Sequence, residues 1–91
     1  MAFILGRFGV DDYETWKQMF DSDPAGRKEA AQGHRIYRST ENPGDVFVAV
    51  EFPSSDEAKT FRERLLASGA LANVTVKTEP TVVEEEEAVT Y

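Results

Sequence analysis

The stretch Asp45–Phe52, DVFVAVEF, constrains the fold more than any other part of the chain. Successive side chains along a strand point to opposite faces. Val46, Val48, Val50 and Phe52 therefore share one face, and Phe47, Ala49 and Glu51 share the other. A strand that is largely apolar on both faces wants cover on both. A chain of 91 residues with two helices can cover one face of a small sheet. The second cover is expected from another copy of the molecule.

Ninety-one residues make one domain, spanning 1–91 and near the low end of the usual size. A domain this short buries only about 60–65% of the surface its unfolded chain exposes, so association adds usefully to its core. The absence of cysteine removes disulfides, thiolate metal sites and cysteine nucleophiles together, and fits a reducing compartment. The N-terminal MAFILGRFGV lacks the basic leader and long apolar core of a signal peptide. No segment approaches membrane-spanning length. A soluble cytoplasmic protein is the expectation.

The net charge of −7 is unevenly placed. Of the 17 acidic residues, Glu79 and Glu84–Glu87 follow Lys77 with no base among them. The body is close to neutral and the tail is acidic. That pattern argues against nucleic acid, which needs clustered Lys and Arg to displace phosphate counterions. It argues equally against anionic membranes.

Phe3–Val10 carries β-branched and aromatic residues without a helical period and reads as a first strand, with Ile4, Phe8 and Val10 opposite Phe3, Leu5 and Arg7. Asp11 or Asp12 offers an N-cap. Tyr13, Trp16 and Phe20 then recur at helical spacing, flanked by Met19. Asp23-Pro24 interrupts that helix, and a second piece is expected with Asp23 as cap, Pro24 at its first position and Gly33 as its close.

His34–Thr40 reads as a second strand, turning through Glu41-Asn42-Pro43-Gly44 into the apolar third. Ser54-x-x-Glu57 is a capping box for a helix with Ala58, Phe61 and Leu65 on its inner face and Gly69 at its stop. Residues 70–76 read equally as a short helical turn or as extended chain. A last strand is expected from Thr81-Val82-Val83, with residues 84–91 an acidic tail that frays or a strand that pairs with a neighbouring chain. The fold class is α+β. The order β-α-β-β-α-β is the ferredoxin-like arrangement, with a four-stranded antiparallel sheet and the third strand inside it beside the first. Helices cover one face of that sheet, and two such sheets facing each other satisfy both.

A strand ending in Val10 leads into Asp-Asp-Tyr-Glu-Thr-Trp-Lys and then Phe20-Asp-Ser-Asp-Pro24. Arg35-Ile-Tyr-Arg38-Ser with Asn42-Pro43 follows, and then Val50-Glu-Phe52 before a Ser-capped helix. Over residues 3–85 this pattern resembles the dimeric α+β barrel superfamily, near the small bacterial proteins grouped with antibiotic-biosynthesis monooxygenases. The resemblance implies a homodimer whose two sheets form a barrel. It also implies a small apolar pocket in each subunit, between sheet and helices or at the barrel lumen. Fold does not give function, and the superfamily hosts oxygenases, isomerases, haem-handling enzymes and members with no known chemistry.

His34, the only histidine, is a candidate general base toward a phenolic or keto substrate, or else a strand-end residue with no chemical role. Tyr37 and Arg38 are the candidate groups that steer deprotonation beside it. Trp16 resembles the tryptophan of haem-degrading members, but the first strand has no Asn and the second helix no His to complete that set, so core packing is its alternative. Arg7, Glu51 and Trp16 are the candidate ligand-binding residues. Arg7, Arg35, Arg38, Tyr37 and Glu51 either pair across the subunit interface or orient a ligand in an apolar cavity. One histidine among unspaced carboxylates makes no metal-ligand set, and no phosphate loop or nucleophile elbow occurs.

The functional expectation is a homodimer that binds a small, largely apolar or aromatic molecule, without metal or cofactor. An enzymatic alternative is a cofactor-free monooxygenase or isomerase acting on an aromatic or polyketide-like compound. A third is a structural or stress-related dimer with a filled barrel.

Overall fold

The computed structural model describes the chain from Met1 to Tyr91. Its elements are β1 (Ala2–Gly9), α1 (Tyr13–Asp21), α2 (Arg27–Ala30), β2 (Gly33–Arg38), β3 (Asp45–Phe52), α3 (Ser55–Ala67) and β4 (Thr75–Glu84). The strands form one antiparallel sheet in the order β2-β3-β1-β4, which is the ferredoxin-like topology with its first helical unit split in two. The two-faced strand β3 and its partner β1 occupy the middle.

Pairing of Ile4 with Val50, Gly6 with Val48 and Phe8 with Val46 places the even-numbered residues of β1 and β3 on one face. There they meet Trp16 of α1 and Ala58 and Phe61 of α3 to form the core. Val46, Phe52 and Ala58 are fully buried. The opposite face carries no helix. Leu5, Phe47 and Tyr37 lie on it, 41%, 39% and 53% exposed.

The helix starts follow local chemistry. Asp12 caps α1, its carboxylate accepting from the Glu14 amide at 3.1 Å and the Thr15 hydroxyl at 2.8 Å. Ser54 caps α3 by accepting from the Glu57 amide at 3.2 Å. Gly69, at φ 75, ends α3 in the left-handed conformation that only glycine adopts without cost.

Three boundaries differ from expectation. Pro24 does not open the second helical piece. Asp23 itself turns left-handed, at φ 60, and its carboxylate accepts from the amides of Arg27 at 2.6 Å and Lys28 at 3.1 Å. The helix is therefore one turn beginning at Arg27, and Gly33 opens β2 instead of closing α2.

The last strand begins at Thr75, well before Thr81, and pairs with β1 of its own chain as far as Glu84. It is bulged: Leu5 faces Thr81 and Arg7 faces Thr78, so Glu79 and Pro80 together oppose Gly6. A proline lacks the amide for a ladder bond and is tolerated at such a bulge. Beyond it the Glu85 amide bonds the Met1 carbonyl at 3.1 Å, and residues 85–91 form neither helix nor strand.

Candidate functional site

The bulge and the glycine opposite it border a space under the helices. A cavity of about 70 Å³ lies between the sheet and α1 and α3. Its floor is Ile4, Gly6, Val48 and Val50, with buried Pro80 beside them. Trp16, Met19 and Phe20 form one wall, and Phe61 and Leu65 the other. Pro24 is exposed, and Ala25, Ala70 and Leu71 are half-buried, so the cavity meets solvent between the α1–α2 loop and the turn after α3. Gly6 leaves room there for Phe8: a Cβ on it would fall 2.7 Å from the tip of that ring, which folds across the glycine.

One charged side chain reaches this apolar space. Arg27 is only 6% exposed. Its guanidinium stacks on the Phe20 ring at 3.7 Å, and Nη1 donates to the Phe20 carbonyl at 3.0 Å. The Asp23 carboxylate stands 3.9 Å from Nη1. Nη2 is buried with no hydrogen-bond partner. Burial lowers the Arg27 pKa, opposed by Asp23 and Asp21, and an arginine remains charged at neutral pH despite such a shift.

An aromatic chain runs along the same wall. Trp16 lies 5.8 Å from Tyr13 and 5.2 Å from Phe20 between ring centroids. His34 meets Phe20 edge-on at 5.0 Å. Burial, then the nearby charges of Arg27 and Lys17, lower the His34 pKa and favour the neutral ring.

Of the six residues singled out from sequence, Trp16 lines the cavity. His34 touches the outer side of its Phe20 wall from the edge strand β2. Arg38 is on the same face of the sheet but at the other end of β2, its guanidinium 4.1 Å over the Tyr13 ring and its Nε donating to the Pro43 carbonyl at 3.2 Å.

Tyr37, Arg7 and Glu51 point the other way, onto the open face. There Tyr37 pairs with Phe47, which pairs with Arg7. Arg7 is held by Asp45 and lies 5.3 Å from the Phe47 ring. His34 and Tyr37 are thus separated by the thickness of the sheet, while Arg7, Tyr37 and Glu51 share a surface. Arg35 joins them, and neither Arg35 nor Glu51 has an ion-pair partner within the chain.

Sequence reasoning missed Arg27. A one-turn helix has no apolar stripe to reveal which of its residues turns inward, and the only local signal was Asp23 four positions before it. No group of three or more His, Asp or Glu side chains is placed to hold a metal, and no helix is long and apolar enough to cross a membrane.

No family model and no curated protein matches the chain. Solved structures do. A candidate antibiotic biosynthesis monooxygenase of Deinococcus radiodurans superposes with a TM-score of 0.69 at 18% identity, over 100% of this chain and 98% of that one. A Mycobacterium tuberculosis protein gives 0.66 at 14% identity, over 98% of both chains. A candidate antibiotic biosynthesis monooxygenase of Bordetella bronchiseptica gives 0.59 at 16% identity, over 97% of both. The chain therefore has the ferredoxin-like α+β fold of the antibiotic-biosynthesis-monooxygenase-like proteins along its whole length.

Proposed function

We propose that this protein is a homodimeric α+β barrel that binds a small, largely apolar organic molecule between its sheet and helices. The observation that carries this reading is the cavity walled by Trp16, Phe20, Phe61 and Leu65 and floored by Gly6. Cores are normally packed without voids larger than a water. A water needs about 10–15 Å³ of such volume, so the cavity has room for about five waters, yet its lining is apolar and gives water few partners. A compact hydrocarbon body suits it better.

The open face supports the dimer. Leu5, Phe47 and Tyr37 form an exposed apolar patch, and exposed patches of this kind mark interaction surfaces. In a two-fold arrangement, Arg35 of one subunit can pair with the other subunit's Glu51 and the reverse, because such an interface joins the same surface to itself.

Soaking crystals with a compact branched alcohol such as isobutanol tests the ligand reading. Ordered density in the cavity is expected, and density confined to the surface would refute it.

The enzymatic reading has one observation in its favour: a neutral-leaning His34 against the Phe20 wall. In this scheme the substrate lies outside the cavity, on the His34 side of Phe20, and His34 removes a proton from an activated CH₂ of a dicarbonyl. The carbanion reduces O₂, one oxygen atom ends on carbon as a carbonyl, and the other leaves as water with both hydrogens. Oxygen consumption with a β-dicarbonyl, abolished by His34→Ala, separates this from simple binding. Consumption unaffected by that change removes His34 from the scheme.

A further inference from the structure

We propose that Arg27 selects the ligand: the cavity takes a small apolar body that carries an anionic oxygen, a carboxylate or a phenolate. This rests on the binding reading above and specifies the chemistry of the occupant.

Arg27 already has what an arginine at a structural position needs on one side. Phe20 supplies a ring face and a carbonyl, and Asp23 supplies the nearest negative charge. Asp23 does not serve the other side. Its carboxylate accepts from two amides of α2, and its closest approach to the guanidinium is to Nη1.

Nη2 is left without a protein partner. An unpaired buried donor is costly, and buried polar groups are nearly always satisfied. The exception here belongs to a cation lining an otherwise apolar hollow. A planar guanidinium is matched to carboxylate and phenolate oxygens, and in a place shielded from water that match is at its strongest.

The size of the cavity limits the buried body. About 70 Å³ accommodates on the order of five non-hydrogen atoms, so a larger ligand would extend through the opening at Pro24 and Leu71.

The test uses the full-length protein, methyl-labelled at Met and Leu, and three probes. Xenon reports on the apolar space alone, and should shift the Met19 and Leu65 methyls. Isobutyrate and isobutyramide have nearly the same shape and differ in charge. Isobutyrate should bind about tenfold more tightly and shift the Arg27 Nε–Hε resonance, as expected for a charge-assisted hydrogen bond.

Arg27→Met should keep the xenon shifts and lose the preference. Asp23 keeps its two amide donors when the guanidinium is removed, so this variant is expected to fold. The wild-type comparison decides the matter even without it. Xenon shifts with equal binding of the two isosteres overturn the role of Arg27 and leave the cavity reading standing. Absence of any shift with all three probes overturns both.

Discussion

Arg7 grips Asp45 across the β1–β3 pair, its Nε 3.1 Å from each carboxylate oxygen and its Nη2 closing the fork. Lys77 of β4 approaches the same carboxylate at 3.1 Å. Asp45 is 4% exposed, so one carboxylate ties three strands together at one end of the sheet. Burial alone would raise its pKa. The hydrogen bond from Arg7 outweighs that, with Lys77 adding to it, and the net shift is downward.

A carboxylate with a lowered folded-state pKa contributes stability above its unfolded value, near 4, and loses it as pH falls through the folded value. Asp45→Asn should therefore melt below the wild type at pH 7. The gap should close on acidification below pH 4, as followed by thermal melts from pH 2 to 7. A gap of constant size would mean that the charge is not the stabilising element.

The histidine gives an effect of the same sign at higher pH. Its folded pKa is lowered, so the unfolded chain binds the proton more readily, and stability falls as pH drops from about 6.5 toward the folded value. An NMR titration of His34 should show a midpoint below 6.5. Burial is the first cause and the Arg27 charge the second, so Arg27→Met should move the midpoint upward.

The Phe8 ring, at the edge of the cavity, occupies the place a side chain at Gly6 would take. Gly6→Ala should press the Phe8 ring out of place, costing about 1–3 kcal/mol by overpacking. Loss of the xenon-induced methyl shifts in that variant is the accompanying outcome. Unchanged stability and unchanged shifts would show that the ring has room to move aside.

The two faces of β3 should respond differently to one charge. Val48→Asp places an unpaired carboxylate in the core and should cost several kcal/mol, enough to unfold a domain this small. Phe47→Asp places it on the open face. Light scattering at micromolar concentration should find this second variant folded but monomeric. A wild-type dimer in that variant would remove the open face as the contact surface.

Truncation distinguishes the strand from the tail. Stopping after Lys77 removes most of the β4 partners of β1, and should unfold the subunit itself. Stopping after Glu85 keeps every one of those pairs and should leave the melting temperature unchanged.

The parts of this fold legible in the sequence were those with a repeating local signal. The two-faced pattern of DVFVAVEF gave β3 its central place, and Ser54 with Glu57 marked the start of α3. The last strand was harder to read because Pro80 breaks its alternation at the bulge, leaving only Thr81–Val83 to look like a strand. The candidate site was less legible still. Strand alternation divides His34 from Tyr37, but nothing local tells which of the two faces the helices. Arg27 turns inward because Asp23, in a left-handed conformation, holds its amide, and no periodicity announces that.

Part of the floor beneath the helices is main chain: Gly6 of β1 and the bulged stretch of β4 opposite it. Rotamer changes cannot readily close a chamber whose foundation is strand geometry. Substitutions at Met19 or Leu71 can reshape the walls while the strand ladder below stays as it is.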